Sequence, residues 1–145
     1  MFDDTKQQLT YSYTKLQRRI VTPVYLYSVS STIPKDTVTS ALWDTGAIFS
    51  AITLRIQQEL GLIPTGSKFV RGVTGIQEVP VVMLTLELPD NLLKQNIEVA
   101  VCDFSSDIGM IIGMDIITLG DFTLLHGDKR TVFSFTTPPQ HNREK

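Results

Sequence analysis

The chain is poor in the residues that build metal and disulfide sites. Its 145 residues include one cysteine, Cys102, and two histidines, His126 and His141. A single cysteine excludes an intrachain disulfide framework and a cysteine-based zinc site. The histidines lie far apart without ligand-like spacing, so neither a metal nor a cofactor is expected. Cys102 follows Val99, Ala100 and Val101 and reads as a small buried hydrophobe rather than a nucleophile. Basic clusters are equally scarce. The 13 Lys and Arg are scattered, Arg18-Arg19 is the nearest thing to a group, and the net charge is −2, so a nucleic-acid footprint is not expected. No apolar run approaches bilayer-spanning length. The N-terminal "MFDDTKQQLTYSYTK" lacks the basic start and apolar stretch of a signal peptide. A cytoplasmic protein without membrane contact is the expectation.

What is present is a globular composition, 42% apolar and 19% charged, in a length that suits one domain. Residues 1–14 are expected to form a flexible N-terminal segment, 15–136 the domain and 137–145 a polar tail. The pattern between the ends is mainly β. "RIVTPVYLYSVS" (19–30) is rich in β-branched and aromatic residues, and Pro23 suggests an edge or an irregular start. "STIPKD" (31–36) carries turn chemistry and "TVTSALWD" (37–44) returns as a strand. Two strands are expected around a glycine-bearing bend, Gly72 to Gly75, within 67–88. Further strands are expected at 95–104 and 109–112, and a hairpin over 121–135 turns at "HGDK". Ile52, Ile56, Leu60 and Ile63 recur at the helical interval, so a helix is expected from Thr53 to Leu60 with Gly61 as its stop. A second short helix is expected to begin near Gly113. Many short strands with one or two short helices argue a compact all-β barrel or sandwich.

One stretch stands apart: "ALWDTGAIFS", residues 41–50, sets Asp44 inside an apolar run. An unpaired buried carboxylate is costly. Gly46 directly after it lets the backbone turn sharply, and the Thr45 hydroxyl can hold the loop rigid. Asp-Thr-Gly also suits an ordinary turn, because Asp and Thr bond to nearby backbone and Gly accepts unusual dihedrals. "MIIGMDIITLG" (110–120), read alone, is a core strand and helix, and Gly72 with Gly75 marks a plain hairpin.

Together these stretches resemble the retropepsin-like aspartic proteases, in particular their bacterial single-domain branch. "ALWDTGA" is similar to the family's active-site motif, and "MIIGMDIITLG" to its later strand, glycine and short helix. Between them "VRGVTGIQEVP" (70–80) lies where the family carries a flap. The three stretches stand in the family's order and cover roughly residues 40–120. The resemblance implies a mainly β fold, a closed pepsin-like barrel with one or two short helices that acts as a homodimer.

It also implies a reaction: hydrolysis of peptide bonds by water activated between two carboxylates. The chain contains Asp-Thr-Gly once and no Asp-Ser-Gly. Asp115 reads as a residue that caps or orients the second helix, and Asp103, Asp107, Asp121 and Asp128 as loop or turn residues. The second carboxylate is therefore expected from Asp44 of a second copy. By the same resemblance Thr45 locks the two loops together, and Gly46 and Ala47 line the groove floor. Gly72, Val73, Thr74 and Gly75 form the flap tip, and Ile112 and Gly113 pack beneath or beside the aspartate loop. A peptide or protein substrate lies extended between flap and floor, with Ile48, Val73, Ile76 and Val81 suggesting apolar preference. Two positions depart from the retroviral pattern. Ile48 stands in place of an acidic residue and Met114 in place of an arginine, so a packed apolar contact is expected where those members form an ion pair. Two other readings stay open, a silent peptide- or protein-binding dimer and a dimerisation module of a larger assembly.

Overall fold

Alternation of inward and outward residues builds most of the molecule. The computed structural model describes residues 6–29, 33–104 and 107–140. In β2 (Ile20–Ser28) the side chains of Ile20, Thr22, Val24 and Leu26 are buried and those between them face outward. That is the signature of a strand with one face on a core. β3 (Asp36–Trp43) pairs antiparallel with β2, Ile20 opposite Trp43. Pro23, opposite Ser40, lies where β2 has β3 alone beside it, because β6 joins the other edge only at Tyr25–Ser28. A residue without an N–H fits such an edge.

The strands that follow close the sheet. They are β4 (Ala51–Ile52), β5 (Gly66–Gly72), β6 (Gly75–Glu87), β7 (Lys94–Val101) and β8 (Met110–Ile112). The order is β2-β3-β8-β4-β7-β6-β5, and β2 also pairs with β6. That last pairing turns six strands into a ring, with β5 projecting from it as one arm of a hairpin. The pairings of β3 with β8 and of β4 with β7 are parallel and the others antiparallel. The mainly β, barrel-like architecture expected from the sequence is present.

Helix α1 (Leu54–Leu60) carries its own start and stop. The Thr53 side chain accepts a hydrogen bond from Ile56 N–H, and Gly61 adopts the left-handed conformation (φ 64°) at the C-terminus. Ile56 and Leu60, one turn apart, are both buried. Helix α2 (Met114–Ile117) follows Gly113.

A second sheet, β1-β10-β9, is formed by β1 (Gln7–Ser12), β9 (Asp121–Gly127) and β10 (Arg130–Thr137). It corrects one expectation: Gln7–Ser12, assigned to a loose N-terminal segment, pair with Val132–Thr137 over six residues. Thr137 likewise belongs to β10 rather than to a tail, and Gln140 N–H bonds to Asp121 Oδ2 at 2.6 Å. Residues 1–5, 30–32 and 141–145 of the expected ends and turn lie outside the described residues. Phe133 and Phe135 of β10 are fully buried and bring this sheet into the main core. Trp43 lies against both, with ring centroids 4.9 and 5.0 Å away in tilted geometry, an arrangement that aromatic quadrupoles favour. Its indole N–H donates to the buried Thr22 hydroxyl at 2.9 Å. Among the described residues no helix is long and apolar enough to cross a membrane.

Candidate functional site

Trp43 is the last residue of β3, and this anchored ring fixes where Asp44 leaves the barrel. Asp44 N–H still donates to Ile112 C=O at 2.9 Å, continuing the parallel ladder by one bond. The chain then turns. Ala47 N–H reaches back to Asp44 C=O at 3.1 Å, and Gly46 N–H donates to Asp44 Oδ1 at 2.8 Å. A backbone N–H bonded to one carboxylate oxygen fixes the direction of the side chain. Asp44 is half-buried and Thr45 exposed. Among the described residues the Thr45 hydroxyl has no hydrogen-bond partner within its own chain.

The segment behind the turn is held by the later motif. Met114 N–H donates to Ala47 C=O at 2.8 Å. Ser50, fully buried, accepts from Gly113 N–H at 3.0 Å and donates its hydroxyl proton to Asp115 Oδ1 at 2.8 Å. Ser50 N–H donates to Asp115 Oδ2 at 3.0 Å. Asp115 Oδ1 also accepts from Ile116 N–H at 3.0 Å, the helix-orienting bond expected of it. Gly113 cannot carry a side chain here. A Cβ on it would lie 2.7 Å from Phe49 C, 2.8 Å from Phe49 O and 2.9 Å from Ala47 O, all backbone. Ile112 is buried beside Trp43 in the ladder. Gly113 thus lies against the backbone of Ala47 and Phe49, and Ile112 beside Trp43 and Asp44.

A cleft of about 1050 Å³ opens beside this loop. Gly46, Ala47 and Ile48 line one side, and Gly72, Thr74, Gly75 and Ile76 of the β5–β6 hairpin line the other. Gly72 and Gly75 close the hairpin as a cross-strand pair, with Gly75 at φ 123°. Val73, at the tip, is fully exposed and does not line the cleft. Val81 does not either. It is buried in a second apolar cluster with Ala51, Val79 and Ala100 beneath the cleft, because its strand position points inward there. Its expected part in substrate preference is thereby corrected.

The contact expected between Ile48 and Met114 is corrected as well. Ile48 is 81% exposed at the cleft wall, whereas Met114 packs against the main core. The bond from Met114 N–H to Ala47 C=O joins the two segments through backbone, so their side chains need not meet. Cys102, expected to be buried, is half-buried and lines the cleft. Burial pushes its thiol pKa up, with the Asp103 charge adding to the shift, so the thiol stays protonated and inert at neutral pH.

Several residues around the cleft carry no local sequence signal. Lys68 of β5 places Nζ 4.4 Å from the Phe49 ring centre and 3.5 Å from Glu98 Oε1, which ties the hairpin to the aspartate loop and to β7. Phe69, 70% exposed, and Leu54 add apolar wall to the cleft. Ser50 is the fourth, and its partners Gly113 and Asp115 lie more than 60 residues away in sequence.

A family described as aspartyl protease matches residues 29–116 by its sequence profile. Among solved structures, a retropepsin-like aspartic protease from Rickettsia conorii is similar at 16% identity, with a TM-score of 0.55, over 94% of this chain and 98% of that one. EIAV protease, solved in complex with the inhibitor HBY-793, is similar at 24% identity with a TM-score of 0.53, over 70% of this chain and 88% of that one. No curated protein matches significantly. At these identities the structural likeness establishes a shared fold, the retropepsin-like one.

Proposed function

Because this chain belongs to the aspartyl protease family, we propose that it is an endopeptidase whose two catalytic carboxylates are the Asp44 residues of a homodimer. The observation that carries this reading is the position of Asp44. It stands at a strand end, with one oxygen held by Gly46 N–H, beside a cleft roofed by a glycine-closed hairpin.

Two carboxylates ~3 Å apart cannot both ionise, so the pair holds one proton between them and titrates as a unit. The ionised Asp44 takes a proton from a water molecule, whose oxygen attacks the scissile carbonyl carbon. The protonated Asp44 donates to the carbonyl oxygen as charge develops there. When the tetrahedral intermediate collapses, the C–N bond breaks and a proton from the pair goes to the leaving nitrogen. The carboxylates thus end with one shared proton, as they began. This shared proton is what lets Asp44 tolerate an apolar setting.

Thr45, exposed and with no partner among the described residues of its own chain, is available to bond across the two-fold. Gly46 and Ala47 form the floor. Gly72, Val73, Thr74 and Gly75 close over an extended peptide and exclude water. Ile112 and Gly113, with Ser50 and Asp115, hold the loop in place. The exposed Ile48, Phe69 and Ile76 offer apolar wall to substrate side chains.

The test is Asp44→Asn, assayed by digestion of a peptide library with and without a statine inhibitor. Asp44→Asn should abolish cleavage while leaving the circular dichroism spectrum and the dimer intact. Undiminished cleavage by the variant would refute the assignment. Peptide binding without cleavage by the parent protein would favour a silent binding dimer.

A further inference from the structure

The alternation in β2 that buries Val24 and Leu26 turns Tyr25 and Tyr27 outward on one face, two residues apart. Glu87 of β6 stands opposite Tyr25, and Asp36 of β3 opposite Tyr27. Beyond Glu87 the chain turns back through residues 88–93. Leu88 and Leu92 are buried there, Leu88 N–H donates to Leu93 C=O at 2.9 Å, and Leu92 N–H donates to Pro89 C=O at 3.2 Å. Between them Asp90 and Asn91 are left-handed, φ 61° and 55°, a conformation that short polar side chains tolerate. The turn is thus pinned from within. A hollow of about 320 Å³ lies between it and the two tyrosines. Tyr25, Tyr27, Glu87, Asp90 and Asn91 line it, and none of the five lines the cleft beside Asp44.

Rings and carboxylates together suit a cation. The Tyr27 hydroxyl donates to Glu87 Oε1 at 2.5 Å, which fixes that carboxylate and leaves its second oxygen open. The side chains of Asp90 and Asn91 make no hydrogen bond or ion pair among the described residues. An ammonium of the chain itself already rests on one of the rings: Lys94 Nζ lies 4.9 Å from the centre of Tyr27, within cation–π range. Lys94 is not part of the lining, and no Lys or Arg is. The hollow therefore presents two aromatic faces, two carboxylates and an amide with no cation of its own among them.

We infer that this hollow is a binding site for a guanidinium group, the head of an arginine side chain. A guanidinium is planar, so it lays its faces on tyrosine rings while its N–H rim donates to Glu87 Oε2, the Asp90 carboxylate and Asn91 Oδ1. An ammonium is a compact, strongly hydrated charge and cannot do both at once. The site stands at the Glu87 end of β6, and the hairpin over the cleft at its Gly75 end. An arginine held there leaves the cleft open, and the inference does not depend on the peptidase reading.

The experiment is an amide NMR titration of the full chain with L-argininamide and with the peptide acetyl-Gly-Arg-Gly-amide. A third ligand is the same peptide carrying citrulline, which keeps the shape of the head and removes its charge. Both arginine ligands should shift the amides of 25–27 and 87–91, and citrulline should leave them unmoved. Tighter saturation by the peptide marks an arginine borne on a protein as the source, and equal saturation a free guanidinium compound. Tyr25→Leu should weaken binding about 3-fold, and Glu87→Gln combined with Asp90→Asn about 5-fold. These side chains face outward, so the dispersion of the spectrum should be kept. No shift with either arginine ligand, equal shifts with citrulline, or parental affinity in the variants overturns the site. Shifts gathered at 46–49 and 72–76 of the cleft overturn it too. Asp44→Asn should leave the titration unchanged, so the two readings fail separately.

Discussion

Ser50 and Asp115, 65 residues apart in sequence, are joined by two hydrogen bonds, from Ser50 N–H at 3.0 Å and from its hydroxyl at 2.8 Å. The same hydroxyl accepts from Gly113 N–H. Strand end, aspartate loop and helix α2 are thus fastened through the buried Ser50. The consequence is that Asp44 is positioned from two directions, by the ladder bond to Ile112 and by this knot behind the loop.

Asp115→Ala strands the Ser50 donors away from water, at a cost of about 1–3 kcal/mol. Urea denaturation should show that loss as a lower midpoint with an unchanged slope. Asp115→Asn keeps one acceptor oxygen and should lose less. Ser50→Ala removes the hydroxyl but leaves the Ser50 N–H bond, and should fall between the two.

Gly113→Ala forces a methyl group against three backbone atoms of the aspartate loop. Overpacking of this kind costs about 1–3 kcal/mol, and the displaced loop should lower kcat as well. Gly66→Ala is the control. Its Cβ would meet Val81 Cγ2 at 3.6 Å, an ordinary contact, and stability should stay within about 0.5 kcal/mol of the parent.

How much of this was legible beforehand divides along local and long-range lines. Helix α1 was readable because Thr53, Ile56, Leu60 and Gly61 each carry a local reason for their place. The β5–β6 and β9–β10 hairpins were readable from glycine-bearing turns between β-branched runs. Strand β1 was not. "QQLTYS" buries Leu9 alone completely, and it becomes a strand because β10 offers it a ladder. Ser50 gave no warning for the same reason, since the residue it serves is far away in sequence. The exposure of Ile48 could not be read from "AIFS", because apolar character there suits a cleft wall as well as a core.

Lys68 should act on the mobility of the hairpin. Both its contacts are partly exposed, so Lys68→Gln is expected to cost no more than about 1 kcal/mol of global stability. Amide exchange over 66–72 should nevertheless quicken, because the tie to Phe49 and Glu98 is gone. Raising the salt concentration should reproduce part of that change in the parent through screening. Equal exchange in the two proteins would remove Lys68 from this role.

Cys102 offers a probe of the cleft. Its pKa is raised by burial, so the folded protein holds its proton to higher pH than the unfolded chain does. The alkylation rate by iodoacetamide should therefore climb at higher pH than for a free thiol, and stability should begin to fall as pH rises past the unfolded value. A statine inhibitor seated in the cleft should slow alkylation further. Unchanged labelling with inhibitor bound would place the ligand elsewhere.

Strand β6 runs for 13 residues without a break, its first half in the hairpin over the cleft and its second half in the wall of the barrel. Val81 is the hand-over point, opposite Gly66 on one side and Ala100 on the other. The cover is therefore cantilevered from the wall, not hung on a loose joint. On the proposed peptidase reading, admitting a long peptide means flexing a single ribbon about its root near Val81, and the stiffness of that root, far from the tip, sets how readily the groove opens.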